Sequence, residues 1–280
     1  MQFHRPETVE DALHLMAGQP AKLLAGGTDF FPALGGRRTS DAVVDLTGIA
    51  SLSGIARSGS SWRIGAMTRW AQIRDADLPR QFLGLQLAAR EVGSIQIQNT
   101  GTIAGNLCNA SPAADGVPPL LALDADVEIA GPDGTRVIPL FDFITGVRRT
   151  ELKPGEIVTA VLVPDAPASR SAFLKLGARR YLVISIAMVA ANVVLSSGGA
   201  LDGIAIAVGA CSAVAQRLRK LEENLTGTVP GSEDFQKAIA EYGLHELTPI
   251  DDVRASADYR LAAVRTLIAR AVMQAVEGRG

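Results

Sequence analysis

Residues 23–30 read Leu23-Leu24-Ala25-Gly26-Gly27-Thr28-Asp29-Phe30, a short apolar run that ends in two glycines, a hydroxyl and a carboxylate. Lys22 to Ala25 predicts a brief buried strand, and the valine-rich Ala42 to Leu46 predicts a second. Two strands with a glycine turn between them point to an α/β layer. Glycine has no Cβ, so backbone N–H groups in such a turn can converge on an anionic oxygen, and Thr28 adds a hydroxyl donor. A plain tight turn with glycines at positive φ accounts for the same residues. The pattern is neither GxGxxG nor GxxxxGK(S/T), so neither of those binding mechanisms applies.

A second stretch of the same character lies about 75 residues downstream: Asn99-Thr100-Gly101-Thr102-Ile103-Ala104-Gly105-Asn106, followed by Leu107-Cys108-Asn109-Ala110-Ser111-Pro112-Ala113-Ala114-Asp115. Its small residues, hydroxyls and amides present several donors to a diphosphate without any Lys or Arg. Ser94 to Pro119 as a whole predicts an ordered functional loop, since it carries too many apolar residues for a disordered linker. Two such loops, each bounded by regular structure, suggest a diphosphate ligand held between two subdomains.

Around these loops the chain reads as follows. A start signal at Thr8, with Glu10 and Asp11 in the first turn and Ala12, Leu13, Leu15 and Met16 as an apolar stripe, predicts a short amphipathic helix. Trp70 to Arg74 and Leu85 to Val92 predict two more helices, the second stopped by Gly93. Leu120 to Ala125 predicts another, and Val127–Ala130 meets Val137–Leu140 in a hairpin across Gly131-Pro132-Asp133-Gly134. Pro164 to Ser169 predicts a linker. Beyond it, Ala172–Leu176, Val183–Leu195 and Ile204–Val208 predict an antiparallel sheet, and Gln216–Glu223, Asp234–Tyr242 and Ser256–Val276 predict helices that cover one face of it.

Composition narrows the function classes. A chain of 280 residues, 48% hydrophobic and 20% charged, has material for two packed domains. A formal net charge of −2 with no Lys/Arg cluster argues against a nucleic-acid face. The most apolar stretch, Tyr181 to Leu195, is interrupted by Ser185 and Asn192 and predicts a buried strand instead of a membrane span. Met1 to Pro6 lacks the apolar region of a secretory signal, so a cytoplasmic location is expected. Cys108 and Cys211 match neither a CxxC pair nor a zinc spacing, which excludes a disulfide framework and an iron–sulfur cluster held by this chain alone. Cys108 is expected to be a small buried hydrophobe, and His4, His14 and His245 show no metal-ligand spacing.

Ala25-Gly26-Gly27-Thr28-Asp29, Thr102-Ile103-Ala104-Gly105-Asn106 and the Ala110–Asp115 run together resemble the two FAD loops of the flavin subunit of molybdenum hydroxylases of the xanthine dehydrogenase and carbon monoxide dehydrogenase type. Gly155-Glu156-Ile157-Val158 is similar to a strand of that family whose aliphatic residue touches the flavin, and Phe173 to Arg180 resembles its segment carrying a FAD-contacting lysine. The resemblance implies an α+β chain: a two-subdomain FAD domain of the vanillyl-alcohol-oxidase (PCMH-like) kind over residues 1–165, broken near 51–56, then a small α+β domain over residues 170–280. It also implies that Leu23, Leu24, Ala25, Gly26, Gly27, Thr28, Asp29 and Phe30 wrap the FAD diphosphate, with Thr102, Ile103, Ala104, Gly105 and Asn106 holding it from the other side. Asp115 would bind a polar part of the FAD, and Val158 and Lys175 would lie nearer the isoalloxazine. Where the family has Gly, this chain has Ala104.

Read without the resemblance, Lys175 is a strand-end surface lysine and Asp115 a helix cap; Tyr181 reads as a packing residue ahead of a flavin cover. No side chain is nominated as catalytic, because the flavin does the redox chemistry. The resemblance implies a 2Fe-2S small subunit and a molybdenum-cofactor large subunit as partners, in a heterotrimer expected to dimerise, with NAD+, oxygen or another acceptor taking the electrons. Two other readings stay open: a scaffold of the same fold that binds no FAD, and a self-contained flavin oxidase.

Overall fold

The computed structural model describes residues 2–37 and 39–278. The chain opens with β1 (Phe3–His4), α1 (Val9–Gly18), β2 (Ala21–Leu24), α2 (Phe30–Leu34) and β3 (Ala42–Asp45), which build a parallel sheet of order β1-β3-β2. Helix α1 begins where expected, because the Thr8 hydroxyl accepts the Asp11 N–H at 3.1 Å and satisfies a donor of the first turn. Its Ala12 packs with Val44, Leu46, Ile49 and Leu52 in a small core of its own.

Next come β4 (Ile55–Ser58), β5 (Ser61–Gly65), α3 (Trp70–Asp75), α4 (Leu83–Glu91), α5 (Ile95–Thr100), α6 (Ile103–Asn109), α7 (Val117–Ala122), β6 (Asp126–Gly131), β7 (Gly134–Pro139), α8 (Leu140–Phe143), the β8–β9 hairpin (Ile144–Gly146, Arg149–Thr150) and β10 (Ile157–Pro164). An antiparallel sheet of order β4-β5-β10-β6-β7 carries the helices. The β6–β7 hairpin turns through Pro132 and Asp133 as expected, with Gly134 at φ +105°.

The stretch expected as a loop, Ser94 to Pro119, instead folds largely into α5, α6 and the start of α7. Its hydroxyls are helix caps: Ser94 Oγ accepts the Ile97 N–H at 3.4 Å and Thr102 Oγ1 the Gly105 N–H at 3.1 Å. Helices this short are not stable alone. Helix α6 is held by burial of Ile103 and Leu107, both 0% exposed, and α5 by that of Gln98.

The last part is β11 (Arg170–Leu176), β12 (Ala187–Leu195), β13 (Leu201–Gly209), β14 (Gln216–Arg217), α9 (Arg219–Leu225), α10 (Glu233–Glu241) and α11 (Ala257–Glu277). The sheet is antiparallel in the order β11-β12-β13-β14. Two expectations shift: β12 begins at Ala187 because residues 177–186 form a connecting loop, and Gln216–Arg217 adds an edge strand ahead of α9. The helices do not leave the other face bare. Met188, Ala190, Ala205 and Ala207 turn into the core of the preceding part, against α4 and α7, while Val189, Ala191, Ile206 and Val208 turn toward α9–α11. Period-two alternation thus serves two cores, and alanine dominates the face where helices approach closely.

Buried Arg217 ties the halves together: Nε and Nη2 pair with Glu222 at 2.7 and 2.8 Å, and Nη1 donates to Leu121 O and Asp124 Oδ1 at 2.8 and 2.7 Å. The Pro164–Ser169 segment is equally ordered, because buried Gln81 donates to Pro164 O at 3.0 Å and accepts the Ala166 N–H at 2.6 Å.

Ahead of α11, Asp252 takes the Arg254 backbone N–H, then the Arg254 side chain, the Ala255 N–H and Arg260, and these hold its carboxyl down to about 2. A folded-state value below the unfolded one means stability present above about pH 4 and lost as pH falls through 2. Asp252→Asn is therefore expected to flatten the acid limb of the wild-type unfolding curve between those values, measured by circular dichroism.

Candidate cofactor site

Strand β2 delivers the residues that follow it, Ala25-Gly26-Gly27, against the turn between α5 and α6. The approach is so close that a Cβ placed on Gly26 would lie 2.0 Å from the Thr100 carbonyl oxygen, and Gly27 sits at φ +72°. Only glycine accommodates both conditions. The second loop is stitched to the ground beneath α3: Trp70 N donates to Gly101 O, Ile103 N to Thr68 O and Ala104 N to Ala66 O, at 3.0–3.1 Å.

Between the two loops lies a cavity of about 320 Å³. Leu23 and Ala25 to Phe30 line it from the first loop, Thr102, Ala104, Gly105 and Asn106 from the second, and Val158 from β10. Leu24 and Ile103 face the core, 6% and 0% exposed. The Ala104 methyl is accommodated, 7% exposed within α6. Sequence reasoning missed the apolar walls formed by Met67, Trp70, Val92, Ile97, Leu152 and Ile157, which only tertiary structure brings to the loops. Cys108 is a correction: it is exposed and opens onto the cavity instead of packing in the core.

The two loops differ in what they offer a ligand. Among the described residues, the N–H groups of Gly27, Thr28 and Asp29 have no protein acceptor. In the second loop the N–H groups of Ile103, Ala104, Gly105 and Asn106 are already bonded to protein oxygens. Its free group is Asn106 Oδ1, buried with no hydrogen-bond partner among the described residues. Uncommitted donors on the first loop and apolar surface around them fit an amphipathic ligand such as a dinucleotide flavin.

Asp115 and Lys175 do not line this cavity; they pair with each other at 2.8 Å, 9% and 7% exposed. Lys175 Nζ also donates to Glu91 O at 3.3 Å, and the Ser185 hydroxyl donates to Asp115 at 3.1 Å. Asp115 accepts no N–H from α7, so it is not a helix cap, and buried Lys175 is not a surface lysine. Burial raises the proton affinity of Asp115, with Lys175 and Ser185 opposing. Lys175 does line a second cavity, of about 750 Å³, with Arg90, Arg179 and Tyr181. The two cavities flank the end of α4, Val92 facing the first and Glu91 the second. Tyr181 is 59% exposed, with the Arg180 guanidinium 5.3 Å from its ring centroid.

Residues 1–166 match the family model described as the FAD binding domain in molybdopterin dehydrogenase, and residues 172–275 match the CO dehydrogenase flavoprotein C-terminal domain. The chain is 33% identical to the xanthine dehydrogenase FAD-binding subunit of Escherichia coli O157:H7, over 99% of this chain and 97% of that one. It is 32% identical to the carbon monoxide dehydrogenase medium chain of Afipia carboxidovorans, over 98% and 96%. Its fold superposes on a chain of the carbon monoxide dehydrogenase structure from Hydrogenophaga pseudoflava with a TM-score of 0.91 and 30% identity, covering 99% and 98% of the two chains. The glycine loops, the cavity between them and these matches over nearly the whole length lead to one assignment: the chain belongs to the FAD-binding medium subunits of the xanthine dehydrogenase and carbon monoxide dehydrogenase family of molybdenum hydroxylases, and its cofactor is FAD.

Proposed function

We propose that this subunit carries electrons from a partner 2Fe-2S subunit, through FAD held between the two glycine loops, to NAD+, oxygen or another acceptor. The molybdenum cofactor sits in a separate large subunit of the same cytoplasmic complex. The observation that carries the reading is the pair of glycine loops facing one cavity, with free N–H groups on the first of them. Residues 1–165 form the cofactor-holding unit and residues 170–280 the unit that closes it from the side of Lys175.

Each residue then has a task. Gly27, Thr28 and Asp29 direct N–H groups at the diphosphate; Gly26 and Gly105 keep the loops close; Asn106 lines the cavity beside Gly105. Leu23, Phe30, Ala104 and Val158 supply apolar contact and exclude water, while Leu24 and Ile103 anchor the loops from below. Lys175, locked by Asp115 and lining the second cavity, would lie nearer the isoalloxazine. When bound, FAD supplies the electron-transfer chemistry and the protein supplies position and electrostatics. Relatives named as the FAD-binding subunit of a xanthine dehydrogenase and the medium chain of a carbon monoxide dehydrogenase support the same division of labour.

The test is direct. The purified chain should take up FAD non-covalently, turn yellow and release free FAD on denaturation, and a tagged chain from its native host should recover an iron–sulfur and a molybdenum subunit in equal amounts. A colourless protein that rebinds no FAD, or a lone homo-oligomer with full oxidase activity, would sink the proposal.

A further inference from the structure

The cavity between the glycine loops has a charge problem. Among the described residues its lining includes the carboxylate of Asp29 and no Lys, Arg or His. A diphosphate brings negative charge to the same place, and like charges at close range repel. The β8–β9 hairpin supplies the missing cation. Its tip residue Arg148, at φ +58°, donates its backbone N–H to Ala110 O at 2.9 Å and its Nη1 to Asn109 O at 3.2 Å, which pins the tip to the end of α6. From there the guanidinium reaches across to the first loop, where Nη1 stands 3.9 Å from Asp29 Oδ1.

That last contact is an ion pair too long for a hydrogen bond, and both partners are more than half exposed, so solvent screens it. A guanidinium has five N–H donors. Among the described residues only Asn109 O takes one of those of Arg148, which leaves the rest of the fork uncommitted at the rim where the two loops meet. The same hairpin leads into Leu152, which lines the cavity, so the cation and part of the wall belong to one short piece of chain.

Resting on the assignment of this cavity to FAD, we propose that Arg148 is a diphosphate-binding residue: its guanidinium bridges Asp29 and the phosphate oxygens and closes the hairpin over the cofactor. Asp29 then aims the cation and is neutralised by it. A planar fork matches phosphate oxygens in a way that a lysine point charge does not.

The experiment titrates the flavin-stripped full-length chain with FAD, ADP and riboflavin, following flavin fluorescence and, for ADP, competition with FAD. Arg148→Ala should weaken FAD and ADP about tenfold or more, the worth of a charge-assisted hydrogen bond. Riboflavin, which has no phosphate, should bind the variant as it binds the wild type. Arg148→Lys should recover part of the loss, and the salt dependence of FAD binding should flatten in Arg148→Ala. Unchanged FAD affinity in Arg148→Ala, or an equal loss for riboflavin, would overturn the role of Arg148 while leaving the flavin site in place. A wild-type chain that binds neither FAD nor ADP would overturn the site assignment and this inference with it.

Discussion

Gly26→Val leaves the chain without flavin and with a weakened fold. The added Cβ would sit 2.0 Å from Thr100 O and 2.9 Å from Gly101 Cα, both backbone atoms, so the two loops must separate before any side chain fits. Separation removes the concavity and also disturbs the bonds that fasten the second loop to Thr68 and Ala66. FAD occupancy is expected to fall at least about a hundredfold, with a loss of several kcal/mol of the kind seen for overpacked, backbone-limited sites. Gly105→Val separates the two effects. Its Cβ meets the Thr102 hydroxyl at 2.8 Å, a group that can rotate away at the cost of one helix cap, about 1 kcal/mol. That variant should stay folded and still lose flavin, because the new methyls occupy the cavity. Equilibrium dialysis with FAD alongside denaturant melts of both variants checks the contrast; full flavin occupancy in both would mean that the cavity is not the cofactor site.

Lys175→Ala is the second large effect. Removing the ammonium leaves the Asp115 carboxyl enclosed at 9% exposure with only Ser185 as a partner, and breaking a buried ion pair on one side typically costs about 3–5 kcal/mol. In a chain of this size that is a drop in melting temperature of roughly 10 °C. The pH dependence identifies the cause. Burial already lifts the folded-state value of Asp115, and losing Lys175 removes its main opposition. A raised folded value gives stability present below about pH 4 and lost as pH rises, so Lys175→Ala should be least impaired in mild acid and worst above neutrality. Replacing both residues, as Asp115→Leu with Lys175→Met, should restore most of the stability. Calorimetry across pH 4–8 would reject the idea if the single variant were equally impaired throughout.

Much of this was legible from residues alone, for physical reasons that differ by element. The Thr8 cap, the Pro132-Asp133 turn and the apolar strands β12 and β13 are local signals, and each formed close to its expected place. The two glycine loops carried the resemblance and do face one cavity. The helices α5 and α6 were hidden because their hydroxyls and glycines read as turn chemistry, when Ser94 and Thr102 are caps. The partnership of Lys175 with Asp115 spans 60 positions of the chain, and no local pattern reports it. Trp70 looked like an ordinary helix residue; its place in the cavity wall depends on where Gly101 and Gly116 come to rest against it.

The sheet with alanines on one side and branched aliphatics on the other also bears on how such a chain is made and broken. A ribosome that has released only the first 165 residues has nothing to lay over α4 and α7, so their apolar faces stay exposed until Met188, Ala190, Ala205 and Ala207 arrive. Conversely, a protease that nicks the Pro164–Ser169 crossing severs the chain without parting the product, because Arg217 and the shared apolar seam still hold the two pieces together.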